Sequence, residues 1–295
     1  MSLKNYTFEG FSQYRAPFSC ELKGKELDLV MDNGKEYTAK FLSGHDVEWG
    51  EKGGETKADR YDCLKVDDQV YIANMEVSGA KPRTGITLGI DFENLLVTCV
   101  KAWHEEEGPD AYMTETKVIF GALRRSDSSL NEKRHAFTED LAGKAIRWTY
   151  GPDFSIIHTY PNARQCSVHL VNHQDFVNEE IVAKILDPNG QIPWTYDLAD
   201  TSDWIKLKEG IYMLNFVEAC YPLILNYPRL NCLTFCFNLK RMQNFGRYFG
   251  YNDKHERENY MFTAYGKYMN MEPLDPTREH PVPPDIRTVL NQQGK

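Results

Sequence analysis

Glu218, His158 and Tyr150 are the side chains of this sequence best suited to moving a proton. Glu218 closes the run Gly210–Glu218, in which one alternating face reads Tyr212, Leu214, Phe216, Glu218. A carboxyl group at the end of an aromatic face inside a closed sheet resists ionisation. Its pKa rises, and it can serve as a proton donor near neutral pH. At a strand end in solvent it would be an ordinary acid. His158 alternates with Ile156 and Tyr160. An imidazole titrating near about 6.5 could relay a proton or orient a ligand there, or be a core histidine bonded to backbone. Trp148 and Tyr150 share one face of the preceding segment. With Tyr160, Tyr212 and Phe216 they offer stacking surface and hydroxyls to a small, partly aromatic ligand.

Other motifs carry less. His169 and His173 could share a face, but no third ligand lies near them in the sequence, and no metal is expected. Cys232 and Cys236 fall in an apolar strand-like run and read as core. Gly246 and Gly250 belong to neither a P-loop nor a dinucleotide fingerprint. No cofactor is expected.

The elements that must position these residues are short β-branched and aromatic runs between turn signals. Asp32-Asn33-Gly34 separates Leu27–Met31 from Glu36–Phe41, a hairpin signature. Gly151-Pro152-Asp153 does the same between Ala145–Tyr150 and Phe154–Tyr160. Further strands are predicted at Gln69–Val77, Gly85–Phe92, Leu95–Trp103, Thr116–Leu123, Gln165–Leu170, Gly210–Glu218, Cys232–Leu239 and Met261–Tyr268. Such spacing suits up-and-down antiparallel sheet closing into small barrels. The tail after Met271 is proline-bearing and reads as an extended surface segment.

Four blocks recur in order. Leu22–Lys25 is echoed by Leu141–Lys144, Asp62–Tyr71 by Asp203–Tyr212, Ile86–Leu88 by Leu233–Phe235, and Phe120-Gly121 by Tyr265-Gly266. The offsets drift only from 119 to 147, which implies duplication of a whole domain. We read one unit at 1–130 and a second at 135–295, joined by the polar stretch Arg124–Asp140. With Tyr71 aligned to Tyr212, the first copy has no acid at the place of Glu218, and Glu76 falls one residue out of register. The sequence therefore assigns function to the C-terminal barrel and a mainly structural role to the N-terminal one.

Charge excludes some partners. The chain carries a formal net charge of -9, and residues 1–130 hold 16 Lys+Arg against 23 Asp+Glu. That balance argues against nucleic acid. No apolar run approaches membrane-spanning length, and the N-terminus lacks a signal core. Seven scattered cysteines read as reduced thiols, so a cytoplasmic protein without a membrane partner is expected. A homo-oligomer is left open.

The segments LAGKAIRWTYGPDF…HTY, DWIKLKEGIYMLNFVE and NFGRYFG, with KGKELDLVMDNGKEY in the first copy, resemble the molybdenum cofactor biosynthesis protein F (MoaF) family. That resemblance implies an all-β chain of two tandem calycin (lipocalin-like) barrels, and its name implies a link to molybdenum cofactor formation. The second copy is also similar, more distantly, to phenolic acid decarboxylases, cofactor-free barrels with a Tyr-x-Tyr pair, an arginine and a glutamate. The pair becomes Trp148-x-Tyr150 here and Glu218 matches the acid. The arginine falls to Arg147, adjacent to the pair, or to Arg164 or Arg229. Three functions follow as expectations: a ligand-binding protein, a metal-independent decarboxylase-like lyase with Glu218 as general acid, or a scaffold for protein partners.

Overall fold

The computed structural model describes residues 8–104, 114–152, 154–171, 199–218, 231–251 and 256–269. A five-residue helix, α1 (Phe8–Ser12), precedes an all-antiparallel β structure. The strands of the first unit are β1 (Glu26–Met31), β2 (Glu36–Phe41), β3 (Asp46–Glu51), β4 (Lys57–Asp67), β5 (Val70–Glu76), β6 (Thr84–Asp91), β7 (Leu96–His104) and β8 (Thr114–Leu123). Each pairs with the next, and β8 returns to β1, closing an eight-stranded barrel. After β9 (Ala136–Phe137) the second unit runs β10 (Lys144–Gly151), β11 (Phe154–Asn162), β12 (Gln165–Val171), β13 (Ala199–Lys208), β14 (Ile211–Glu218), β15 (Asn231–Asn238), β16 (Gln243–Tyr251) and β17 (Arg257–Tyr268). Here β17 returns to β10, and the β12–β13 pairing closes the second barrel. Strand β9 lies along the remaining edge of β13. No helix among the described residues is long and apolar enough to cross a membrane.

The four repeated blocks fall on equivalent structure. Gly24 and Gly143 adopt positive φ, 79° and 77°, and their amides donate to Phe41 O and Tyr160 O at 2.7 Å in both cases. A left-handed turn of this kind strains any side chain with a Cβ, which accounts for glycine at both places. Leu22 and Leu141, just before these turns, are buried in their respective barrel cores. The pairing of β4 with β5 shifts register between Lys65 and Asp67, and that of β13 with β14 shifts between Lys206 and Lys208.

The barrels meet through the same outer face. Leu64, Val66, Val70 and Ile72 of the first unit pack with Ile205, Leu207, Ile211 and Met213 of the second in one buried cluster. These are the residues that the repeat aligns with one another, so the contact is of the isologous kind found in two-fold dimers. Strands β5 and β14 are thus covered on both sides, and their near-continuous apolar runs follow. The alternate face of β14 (Ile211, Met213, Asn215) is fully buried in this interface.

The Arg124–Asp140 linker is docked. His135 is 2% exposed, with Nδ1 2.8 Å from Thr98 Oγ1, and Phe137 packs edge-on against Phe120. At the other end of the chain, Phe11 crosses to the second barrel and packs against Tyr150, Phe154 and Phe262 at centroid distances of 4.8–5.0 Å. The proline-bearing tail lies outside the described residues.

Candidate functional site

Inward-facing positions of β10, β11, β13, β14, β15, β16 and β17 build an aromatic interior in the second barrel. Alternation sends Trp148 and Tyr150 of β10, and Ile156, His158 and Tyr160 of β11, to the same side of the sheet. All five are buried. Trp148 stacks on Phe237 at 5.0 Å, and its Nε1 donates to Tyr160 Oη at 3.3 Å. Gly266 makes room for that indole, since a Cβ there would run into its six-membered ring. Tyr160 meets Trp204 edge-on at 4.5 Å, and Phe216 stacks on Phe235 at 5.7 Å. His158 lies edge-on to Phe235 at 5.1 Å. Tyr150 Oη accepts from Asn244 Nδ2 at 3.2 Å.

Glu218 is 1% exposed, at the end of β14 opposite Asn231. The strand-end position therefore does not put it in solvent. The nearby Cys166 thiol is pushed well up, first by burial and then by the negative charges of Asp200 and Glu218. Burial also holds the Tyr150 and Tyr160 hydroxyls well above the usual phenol range, so both stay neutral donors at physiological pH.

Three interior polar atoms, Trp204 Nε1, Ser202 Oγ and Asn244 Oδ1, are buried with no hydrogen-bond partner among the described residues. Ser202 and Trp204 are paired across the sheet with the inward-facing Phe216 and Leu214. Asn244 is likewise opposite Phe237. Such groups are ordinarily satisfied by protein or ordered water, and each one left over costs about 1–3 kcal/mol.

Two predicted ligand residues stand apart from this group. Tyr212 turns inward, but its hydroxyl donates to Asp140 Oδ2 at 2.9 Å. Tyr71 does the same to Glu21 Oε2 at 2.6 Å in the first barrel, so the contact belongs to the shared architecture. Arg147 takes the outer face of β10, where its Nη2 donates to Ser155 Oγ at 3.3 Å. Arg164 pairs with Asp203 at 3.5 Å, and Arg229 lies outside the described residues, as does His173.

The sequence pattern missed two features. The mouth of the first barrel holds a cavity of about 390 Å³ walled by Tyr37, Trp49, Met75, Ile86, Leu88 and Ile119, with Lys81 and Lys101 at its rim. Its only sequence signal is the ordinary apolar alternation of a barrel interior. The second feature is Arg247, fully buried between the barrels on β16. It stood in plain view in NFGRYFG, but on the face opposite the aromatic interior.

Two closed eight-stranded antiparallel barrels with aromatic interiors define a tandem β-barrel protein of the calycin type. Residues 8–105, from α1 to the end of β7, match the family model described as the MoaF N-terminal domain. No curated protein matches the chain.

Proposed function

We propose that this MoaF-like protein binds a small, partly aromatic ligand inside its C-terminal barrel. The observation that carries the reading is the set of unsatisfied buried groups, Trp204 Nε1, Ser202 Oγ and Asn244 Oδ1, within an interior of stacked rings. A flat heterocycle bearing both donors and acceptors would satisfy them while stacking on Trp148, Tyr160 or Phe216. A pterin-type molecule has that chemistry, and it would tie the site to the molybdenum cofactor pathway for which the family is named. The free thiols of the described cysteines support a reducing, cytoplasmic setting. Thermal-shift screening with pterins, nucleotides and phenolic acids tests the reading. A ligand at a hundred times its Kd adds about 2.7 kcal/mol to stability. If every member of the panel leaves the melting temperature unchanged at saturating concentration, the ligand pocket is refuted.

A second reading is supported by the burial of Glu218 at the end of this aromatic face. In a cofactor-free lyase, Glu218 would deliver a proton to the side-chain carbon bearing the carboxylate of an unsaturated phenolic acid. The carbon–carboxylate bond then breaks and carbon dioxide leaves. Its electron pair restores the double bond and the phenolate, and the phenol's own proton returns to Glu218. Tyr150 and Tyr160 would hold the substrate through hydrogen bonds, with His158 orienting it.

A further inference from the structure

Between the two barrels lies a polar cleft of about 630 Å³, built from β4, β5, the β5–β6 connection and the start of β17. We propose that this cleft is a second binding site, distinct from the interior of the C-terminal barrel and bordering the mouth of the first barrel at Lys81, and that it takes a phosphorylated small molecule.

Its walls come from both repeats. Arg60 and Lys81 belong to the first barrel and Arg257 to the second. All three are exposed, and none has an ion-pair partner among the described residues. The two carboxylates on the same walls are already engaged. Asp62 lies 3.2 Å from His45, and Glu76 holds Arg83 through two contacts of 2.7 and 2.8 Å. Arg83 is itself fixed, donating to Gly250 O at 2.6 Å and Glu258 O at 3.0 Å and lying over Phe249 at 4.4 Å. The cleft therefore presents uncompensated positive charge on a protein whose net charge is -9.

The floor adds a second, independent signal. Asn259 Oδ1 accepts from Asn74 Nδ2 at 3.0 Å and from Arg247 Nε at 3.1 Å. Behind it, Nη1 and Nη2 of the fully buried Arg247, whose Nη2 lies against Gly85, have no hydrogen-bond partner among the described residues, and Asn74 Oδ1 has none among them either. Burying a guanidinium costs several kcal/mol, the charge of Glu76 offsets only part of it, and an anion just above Asn259 would offset more. Arg247 stays cationic at neutral pH, although burial pulls its pKa down to about 10. Three exposed cations around one floor match a doubly charged phosphate with three outer oxygens better than a two-oxygen carboxylate.

Isothermal titration of the full chain with inorganic pyrophosphate, at constant ionic strength and without divalent cations, tests the site. One pyrophosphate should bind per chain. Arg60→Ala and Arg257→Ala, one from each barrel, should each weaken binding by about tenfold or more. Both residues are exposed, so the melting temperature without ligand should hold. Tyr150→Phe, inside the barrel, should leave pyrophosphate affinity intact, which separates this site from the proposed interior one. Absence of saturable heat would overturn the proposal. So would a double Arg60→Ala/Arg257→Ala variant that binds as tightly as the wild type.

Discussion

Glu21 and Asp140 occupy the same place in the two barrels and make the same pair of contacts. Each carboxylate receives a tyrosine hydroxyl, from Tyr71 at 2.6 Å and Tyr212 at 2.9 Å. Each also receives a lysine, Lys65 at 2.9 Å and Lys206 at 2.7 Å. The hydrogen bonds hold both pKa values below the ordinary carboxylate range, through Tyr71 then Lys65 for Glu21 and through Lys206 then Tyr212 for Asp140. A carboxylate with a lowered folded-state pKa contributes stability above its unfolded value, about 4, and loses it as pH falls through the folded value. Melting temperature should therefore hold from neutral pH to about 5 and decline below about 4. Melts recorded across that range on Glu21→Gln and Asp140→Asn should show a shallower decline than wild type.

Phe11 links the start of the chain to the core of the C-terminal barrel. It is 1% exposed and in ring contact with Tyr150, Phe154, Tyr260 and Phe262. Replacing it with alanine should cost about 3–5 kcal/mol in urea unfolding. The loss should appear in the near-ultraviolet signal of the second barrel's tyrosines and tryptophans. A change below about 1 kcal/mol would mean the segment is not docked there.

Gly85 on β6 lies against the Arg247 guanidinium. A Cβ there would collide with Arg247 Nη2 and come within 2.9 Å of the Phe249 ring. Gly85→Ala should destabilise the chain by about 1–3 kcal/mol through overpacking. Pairing it with Arg247→Met, which removes the rigid guanidinium, should recover part of that loss in the same urea titration.

Glu218→Gln separates the two readings of the C-terminal barrel. If Glu218 is a general acid, turnover of a phenolic acid should fall by roughly 10²–10⁴-fold with the fold intact. Glu76→Gln should leave turnover unchanged, because Glu76 lies in the inter-barrel cleft with Arg83. Equal losses from both substitutions would exclude the assignment.

Much of the architecture was legible from local chemistry. The Asn33-Gly34 turn, the Gly151-Pro152-Asp153 turn and the alternation along β10, β11 and β14 reported strands and their inner faces. Strands β3, β4, β13 and β16 escaped because charged residues (Asp46, Arg60, Asp203, Arg247) interrupt their apolar periodicity. The inter-barrel face was hidden for a different reason. Alternation turned Ile72 and Met213 away from the barrel interiors, but nothing local in the sequence showed that these two outer faces meet one another. The cleft joins Arg60 and Lys81 of the first repeat to Arg257 of the second, a proximity that no local pattern encodes.

The shared interface has a consequence for how the two halves can change. In a dimer of identical subunits every substitution appears on both sides of the axis at once. A charge introduced near the axis would then face its own copy. Here one chain carries both faces, and the constraint is lifted. The register Thr87–Val100 in β6–β7 corresponds to Thr234–Arg247 in β15–β16, so valine occupies in one half the place that arginine takes in the other. Covalent fusion permits this broken symmetry, a buried cation at this position on one side only where a symmetric dimer would have had to hold two in mutual repulsion.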